Sequence, residues 1–143
     1  MAGNISPIFA KVGKIGWAQL GLSNMPVTGA DLTNAGLIFT ADSTNGSIVN
    51  EVRVKYLPGT STAATAFRVW INNGSAPGTT TNNHLLTEAT LSAVTTSTTQ
   101  GTVDFVIPMP RGGLILPPSY RLYATVASYS SGTWMVAALG GDY

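Results

Sequence analysis

The chain has 143 residues, of which 44% are hydrophobic but only 9% charged, with a net charge of +1 and no cysteine. Charged residues usually make up roughly 25% of a globular protein, so the surface here must be Thr, Ser, Asn and Gly, and poorly protected by charge repulsion. The lack of cysteine excludes disulfides, thiolate zinc sites and a cysteine nucleophile, and the absence of a basic cluster beyond Lys11 and Lys14 argues against phosphate-driven binding of nucleic acid.

A chain of this length is most simply one domain that buries roughly two thirds of its unfolded surface. Its first residues, MAGNISPIFAKVG, lack the charged and apolar regions of a signal peptide, and no apolar run approaches the ~20 residues of a membrane span. The expectation is a soluble product made in the cytosol.

Residues 1–31 are the least regular part. Ile8, Ala10 and Val12 alternate with Phe9, Lys11 and Gly13, and Ile15, Trp17 and Gln19 continue the pattern, but Gly13, Gly16 and Gly21 weaken a long strand. This segment reads either as an irregular first strand or as an extended arm that orders on another chain. Residues 32–143 read as the folded domain.

From residue 37 the alternation is clear. A short apolar strand over 37–41 ends in the turn cluster DSTNG, and Ile48, Val52, Val54 and Tyr56 then alternate with Val49, Glu51, Arg53 and Lys55. The charged row marks an exposed sheet face. In the next strand Phe67, Val69 and Ile71 oppose Arg68 and Trp70, before Asn73-Gly74, a strong turn signal, and a long Gly, Pro, Thr and Asn loop over 75–83. Leu85, Ala89 and Leu91 lie on one face of a further strand, residues 95–102 form a low-complexity loop, and Val103, Phe105 and Ile107 precede Pro108 and Pro110.

After Leu114 to Leu116, two prolines stop the ladder. Tyr120, Leu122, Ala124 and Val126 then alternate, and beyond a polar link Trp134, Val136 and Ala138 oppose Met135, Ala137 and Leu139. The short link suggests a hairpin. Its second strand is apolar on both faces, so it must be covered on both, inside a sandwich or against another subunit. Seven short strands, eight with the N-terminal segment, and no 3.6-residue periodicity predict an all-β, single-domain sandwich of jelly-roll type, with an immunoglobulin-like sandwich as the structural alternative.

Chemistry is sparse. The acids are Asp31, Asp42, Glu51, Glu88, Asp104 and Asp142, and His84 is the single histidine. Glu88 and Asp104, on strands expected to be adjacent, are the one candidate carboxylate pair for glycoside hydrolysis. A lone histidine makes no His-rich metal site, and no GxSxG, Walker or dinucleotide fingerprint occurs. No enzyme activity, cofactor or metal is expected. Asn4, Asn45 and Asn73 each begin an N-x-Ser sequon that chance explains in so Asn- and Ser-rich a chain. Trp17, Trp70 and Trp134, with five tyrosines, suit a core or an interface better than a sugar-stacking platform.

Four segments carry a resemblance: RVWINNG at 68–74, NNHLLTEATLSA at 82–93, ILPPSYRLYATV at 115–126 and WMVAALGGDY at 134–143. Over the last two thirds of its length the chain resembles the jelly-roll capsid decoration, or cement, proteins of tailed bacteriophages. The resemblance implies a structural virion protein. It would be a homotrimer on the outer capsid surface of an icosahedral head, clamping major capsid protein subunits, with no nucleic acid or membrane as partner. In that setting Ile5, Ile8, Phe9, Lys11 and Trp17 are expected to contact the capsid, and Tyr123, Trp134 and Met135 to lie toward the trimer axis. The alternatives are a phage tail, receptor-binding or head-fibre module that binds a host receptor or glycan, and a carbohydrate-binding domain of a bacterial enzyme.

Overall fold

The structure is a computed structural model that describes residues 10–21, 29–57, 61–127 and 132–143. Nine strands are described: β1 (Val12–Leu20), β2 (Gly36–Thr40), β3 (Ser47–Tyr56), β4 (Thr65–Asn72), β5 (Asn83–Leu91), β6 (Asp104–Ile107), β7 (Leu114–Leu116), β8 (Arg121–Val126) and β9 (Trp134–Asp142). They form two antiparallel sheets. One runs β1-β9-β3-β6 with β7 also on β3, and the other runs β2-β8-β4-β5. Only the β4–β5 and β6–β7 connections stay within a sheet. A chain that crosses between sheets at nearly every turn has jelly-roll wrapping, with β6 and β7 as two halves of one interrupted strand along β3.

Alternation explains which side chains meet between the sheets. Val52, Val54 and Tyr56 from β3 and Trp134, Val136 and Ala138 from β9 point inward, opposite Phe67 and Val69 from β4 and Leu122, Ala124 and Val126 from β8, all buried. Trp134 is the aromatic centre. Its ring meets Tyr56 edge-on at 4.9 Å and Phe105 at 5.9 Å, arrangements that favour the ring quadrupoles.

The expected hairpin over 120–139 does not form. β8 lies between β2 and β4 in one sheet, while β9 lies between β1 and β3 in the other, so the link between them crosses the sandwich. Alternation reports which face of a strand is buried, and says nothing about which strand lies beside it. Residues 12–20, for which a strand and an arm were both considered, pair with β9 over nine consecutive positions. Residues 1–9 and 22–28 of the same 1–31 segment lie outside the described residues.

Two further differences come from bulges, which shift all later side chains to the opposite face. In β3 the register against β9 slips between Val49 and Glu51, so Val49 joins Val52 in the core and Ile48 is left half-exposed. In β5 the slip opposite Val69 and Trp70 sets Leu85 beside Trp70 on the outer face, while Ala89 and Leu91 stay with Phe67 and Thr65.

The long loop before β5 is built by asparagines. Asn83 Nδ2 donates to the carbonyls of Ala30 and Pro77, both at 2.6 Å, and Asn72 Nδ2 donates to Asn83 Oδ1 at 2.7 Å. Asn72 is fully buried, and such a side chain persists in a core only when its hydrogen bonds are met. The DSTNG turn is held in the same way. Asp42 accepts from the backbone N–H groups of Asn45 at 2.7 Å and Thr44 at 2.9 Å, and the Asn45 N–H is the main reason its carboxyl sits below the usual aspartate range.

Replacing Trp134 by alanine should cost about 3–5 kcal/mol in denaturant unfolding; a loss under about 1 kcal/mol would contradict its place in the core. For Asp42 the sign follows from its lowered folded-state value. The turn stabilises the fold above the unfolded aspartate value of about 3.9 and loses that contribution as pH falls through the lower folded value. The stability gap between wild type and Asp42→Ala should therefore narrow in acid below about pH 4, and a gap that widens there would contradict the assignment.

Candidate functional site

All six acids have structural work. Asp31 accepts from the Thr33 hydroxyl at 2.6 Å and the Thr33 N–H at 2.9 Å, which hold its carboxyl below the usual range, the hydroxyl most strongly. Asp42 holds its turn. Glu88 pairs with Arg68 at 2.6 Å, Asp104 with Lys55 at 3.4 Å, and Glu51 with Arg53. Asp142 accepts from Lys14 Nζ at 3.1 and 3.2 Å and from the buried Ser47 hydroxyl, tying the ends of β1, β9 and β3 together.

Glu88 and Asp104 are not on adjacent strands. β5 belongs to the four-stranded sheet and β6 to the five-stranded one, and each carboxylate faces its own cation. His84 is exposed at the start of β5. Among the described residues no three His, Cys, Asp or Glu side chains cluster as metal ligands would.

The surface is more informative. On the outer face of the five-stranded sheet, register lines up Gln19, Met135, Lys55 and Asp104 in one row, Trp17, Ala137, Arg53 and Val106 in the next, and Ile15, Leu139 and Glu51 in a third. The β1–β9 half of this face is apolar except for Gln19, and the β3–β6 half carries the charges beside exposed Val106. Ile15 is 66% exposed and Trp17 is 65% exposed, far from the usual setting of large apolar side chains. Isolated apolar residues on a surface need no explanation, but a contiguous patch of this kind marks an interaction site.

The backbone of β1 sets this geometry. An ideal Cβ on Gly16 would lie 2.0 Å from the carbonyl oxygen of Ile38, so the absence of a side chain is what lets β1 close against β2 along one edge of the sandwich. With Gly16 turned in, Trp17 is turned out. The indole borders two depressions. One, of about 260 Å³, runs between β1 and β2 along Lys14, Leu37 and Phe39. The other, of about 230 Å³, is lined by Trp17, Arg53, Lys55, Asp104, Met135 and Ala137 among others.

These positions bear directly on the residues singled out in the sequence. Trp17 and Met135, assigned above to two different partners, flank the same depression. Trp134 is 2% exposed, within the core. Tyr123 is buried on the outer face of the other sheet, in a row with Leu37, Trp70 and Leu85, beside the Trp70 Nε1 that donates to Thr125 Oγ1 at 3.1 Å. In the single chain little of either ring is accessible. Lys11 is exposed just before β1, with its N–H donating to the Asp142 carbonyl at 2.8 Å. Ile5, Ile8 and Phe9 lie outside the described residues. Sequence reading did not single out Ile15, Arg53 or Lys55 for this site; the only signal available was the alternation of 15, 17 and 19, blurred by the intervening glycine.

Gly16→Ala should destabilise the protein by about 1–3 kcal/mol by forcing β1 away from β2, and should shift the fluorescence of Trp17. Gly13→Ala, where nothing lies within 4 Å of the added methyl, is the control. Equal effects of the two in thermal unfolding would argue against the close edge.

Comparison of the chain with known protein families, with curated proteins and with solved structures finds no match.

Proposed function

We propose that the protein is a structural virion component, a decoration protein that binds as a homotrimer to the outer surface of an icosahedral bacteriophage head and bridges neighbouring major capsid subunits. The observation that carries this reading is the apolar half of the five-stranded sheet's outer face, where register sets Ile15, Trp17, Met135, Ala137 and Leu139 side by side with Ile15 and Trp17 about two thirds exposed. Such a face favours a working state in which another protein covers it. The resemblance of the segments at 68–74, 82–93, 115–126 and 134–143 to decoration proteins supplies the setting.

The rest of the chemistry is compatible with a scaffold role. Every acid supports a turn or an ion pair, and the sandwich presents its loops from a rigid frame. Three subunits held together would bind a shell through three contacts at once. Effective concentration then lets individually weak contacts hold firmly. In this reading Ile5, Ile8, Phe9, Lys11 and Trp17 supply the contact with the shell.

Purified protein mixed with expanded, undecorated heads should saturate three-fold positions, counted by sedimentation and cryo-electron microscopy. A truncation that removes residues 1–9 leaves β1 and the Lys11–Asp142 bond intact; it should stay folded and lose head binding. Full occupancy by the truncated protein would remove the N-terminal contact from the account. No binding by the full chain would favour a tail or receptor-binding module instead.

A further inference from the structure

We infer that Asn45, in the turn between β2 and β3, is a site of spontaneous deamidation, whereas Asn73, in the same local sequence, is protected by the fold. The chain holds two Asn-Gly pairs, Asn45-Gly46 and Asn73-Gly74, and each is followed by serine. In the reaction the backbone nitrogen of the glycine attacks the asparagine Cγ. The new N–Cγ bond closes a succinimide as the Cγ–Nδ2 bond breaks, and Nδ2 leaves as ammonia with the proton lost from the glycine nitrogen. Water then opens either imide C–N bond, which leaves aspartate or isoaspartate. Glycine favours the attack because no Cβ obstructs the close approach of its backbone. With Asn-Gly-Ser in both places, what separates the two pairs is their surroundings.

Both reacting groups of the Asn73 pair are fastened. Asn73 Oδ1 accepts from the Ser75 N–H at 3.1 Å, its Nδ2 donates to Asn82 Oδ1 at 3.3 Å, and the Gly74 N–H donates to Asn72 Oδ1 at 2.9 Å. Asn72 is itself fully buried, so that last acceptor is fixed. Closing the ring would break the Gly74 bond and turn the Asn73 amide away from both its partners. Asn45 is exposed, and its side chain makes no hydrogen bond among the described residues. Only its backbone N–H is held, by Asp42 Oδ1 at 2.7 Å. Its Cγ is therefore free to swing onto the Gly46 nitrogen, and the rate of such a step depends on how often the two atoms reach attacking geometry.

The turn that reacts is wired to the corner where three strands meet. The Asp42 N–H donates to Ser47 Oγ at 2.8 Å, the Ser47 hydroxyl donates to Asp142, and the Tyr143 N–H donates to the Gly46 carbonyl at 3.2 Å. Isoaspartate would add a carbon to the main chain between these anchors. Either product would also set a new carboxylate near that of Asp42, and like charges repel. One conversion removes the single net positive charge of the chain, and a protein without net charge associates and precipitates more readily.

Purified wild-type protein, aged in mildly alkaline buffer and digested for mass spectrometry, should show Asn45 converted at least about tenfold faster than Asn73, since a small loss of attacking geometry costs that much or more. In denaturant, where both pairs are Asn-Gly-Ser in an open chain, the two rates should become alike. Equal rates in the folded protein, a faster Asn73, or protection of both would overturn the inference, as would a difference that persists in denaturant. The converted fraction, separated by anion exchange, should unfold at lower denaturant than fresh protein, and Asn45→Gln should suppress both the change in charge and the loss of stability. A converted fraction as stable as fresh protein would overturn the link between this turn and the corner.

Discussion

A strand has two faces, and β9 is apolar on both. Trp134, Val136 and Ala138 on one side fill the space between the sheets, while Met135, Ala137 and Leu139 lie on the other. The first set needs an opposing sheet, and Phe67, Val69, Leu122, Ala124 and Val126 provide it. The second has no cover within the described residues beyond the flanking side chains of β1 and β3. Much of what is particular to this protein follows from that asymmetry: one apolar face satisfied by the opposing sheet, and one flanked, among the described residues, only by its neighbouring strands.

Polar groups are arranged to keep that frame fixed. Aspartates and asparagines replace backbone partners in the turns, as Asp42 does after β2 and Asn83 does before β5. The Lys14–Asp142–Ser47 group binds three strand ends at one corner, and Lys14 Nζ also lies 5.4 Å from the Phe39 ring centre across the β1–β2 edge. That edge is where Gly16 brings the two sheets together. The depression along Lys14, Leu37 and Phe39 is a consequence of it, because a side chain at Gly16 would part β1 from β2, which form it.

The sequence was legible where local chemistry dominates. Alternation located the strands from residue 37 onward and identified Glu51, Arg53 and Lys55 as an outward row, and Asn73-Gly74 marked its turn. It failed where the outcome depends on distant partners. β8 and β9 look like a hairpin because a short polar link joins two apolar strands, yet inter-sheet packing separates them. The bulges in β3 and β5 reverse the faces of Ile48 and Leu85, and no residue type announces them. The site was half legible for the same reason. Trp17 and Met135 stand out as apolar, but only the β1–β9 register sets Trp17 opposite Ala137 and Gln19 opposite Met135, and so brings them to one hollow.

The central claim is that the outer face of β1 and β9 is covered when the protein is at work. Hydroxyl-radical footprinting read by mass spectrometry would test it residue by residue, comparing the assembled protein with dilute single chains and using buried Trp134 as the internal reference. Protection of Trp17 and Met135 in the assembled form, lost on dilution, is the result this account predicts. Equal, rapid modification of both residues in assembled and dilute protein would contradict it.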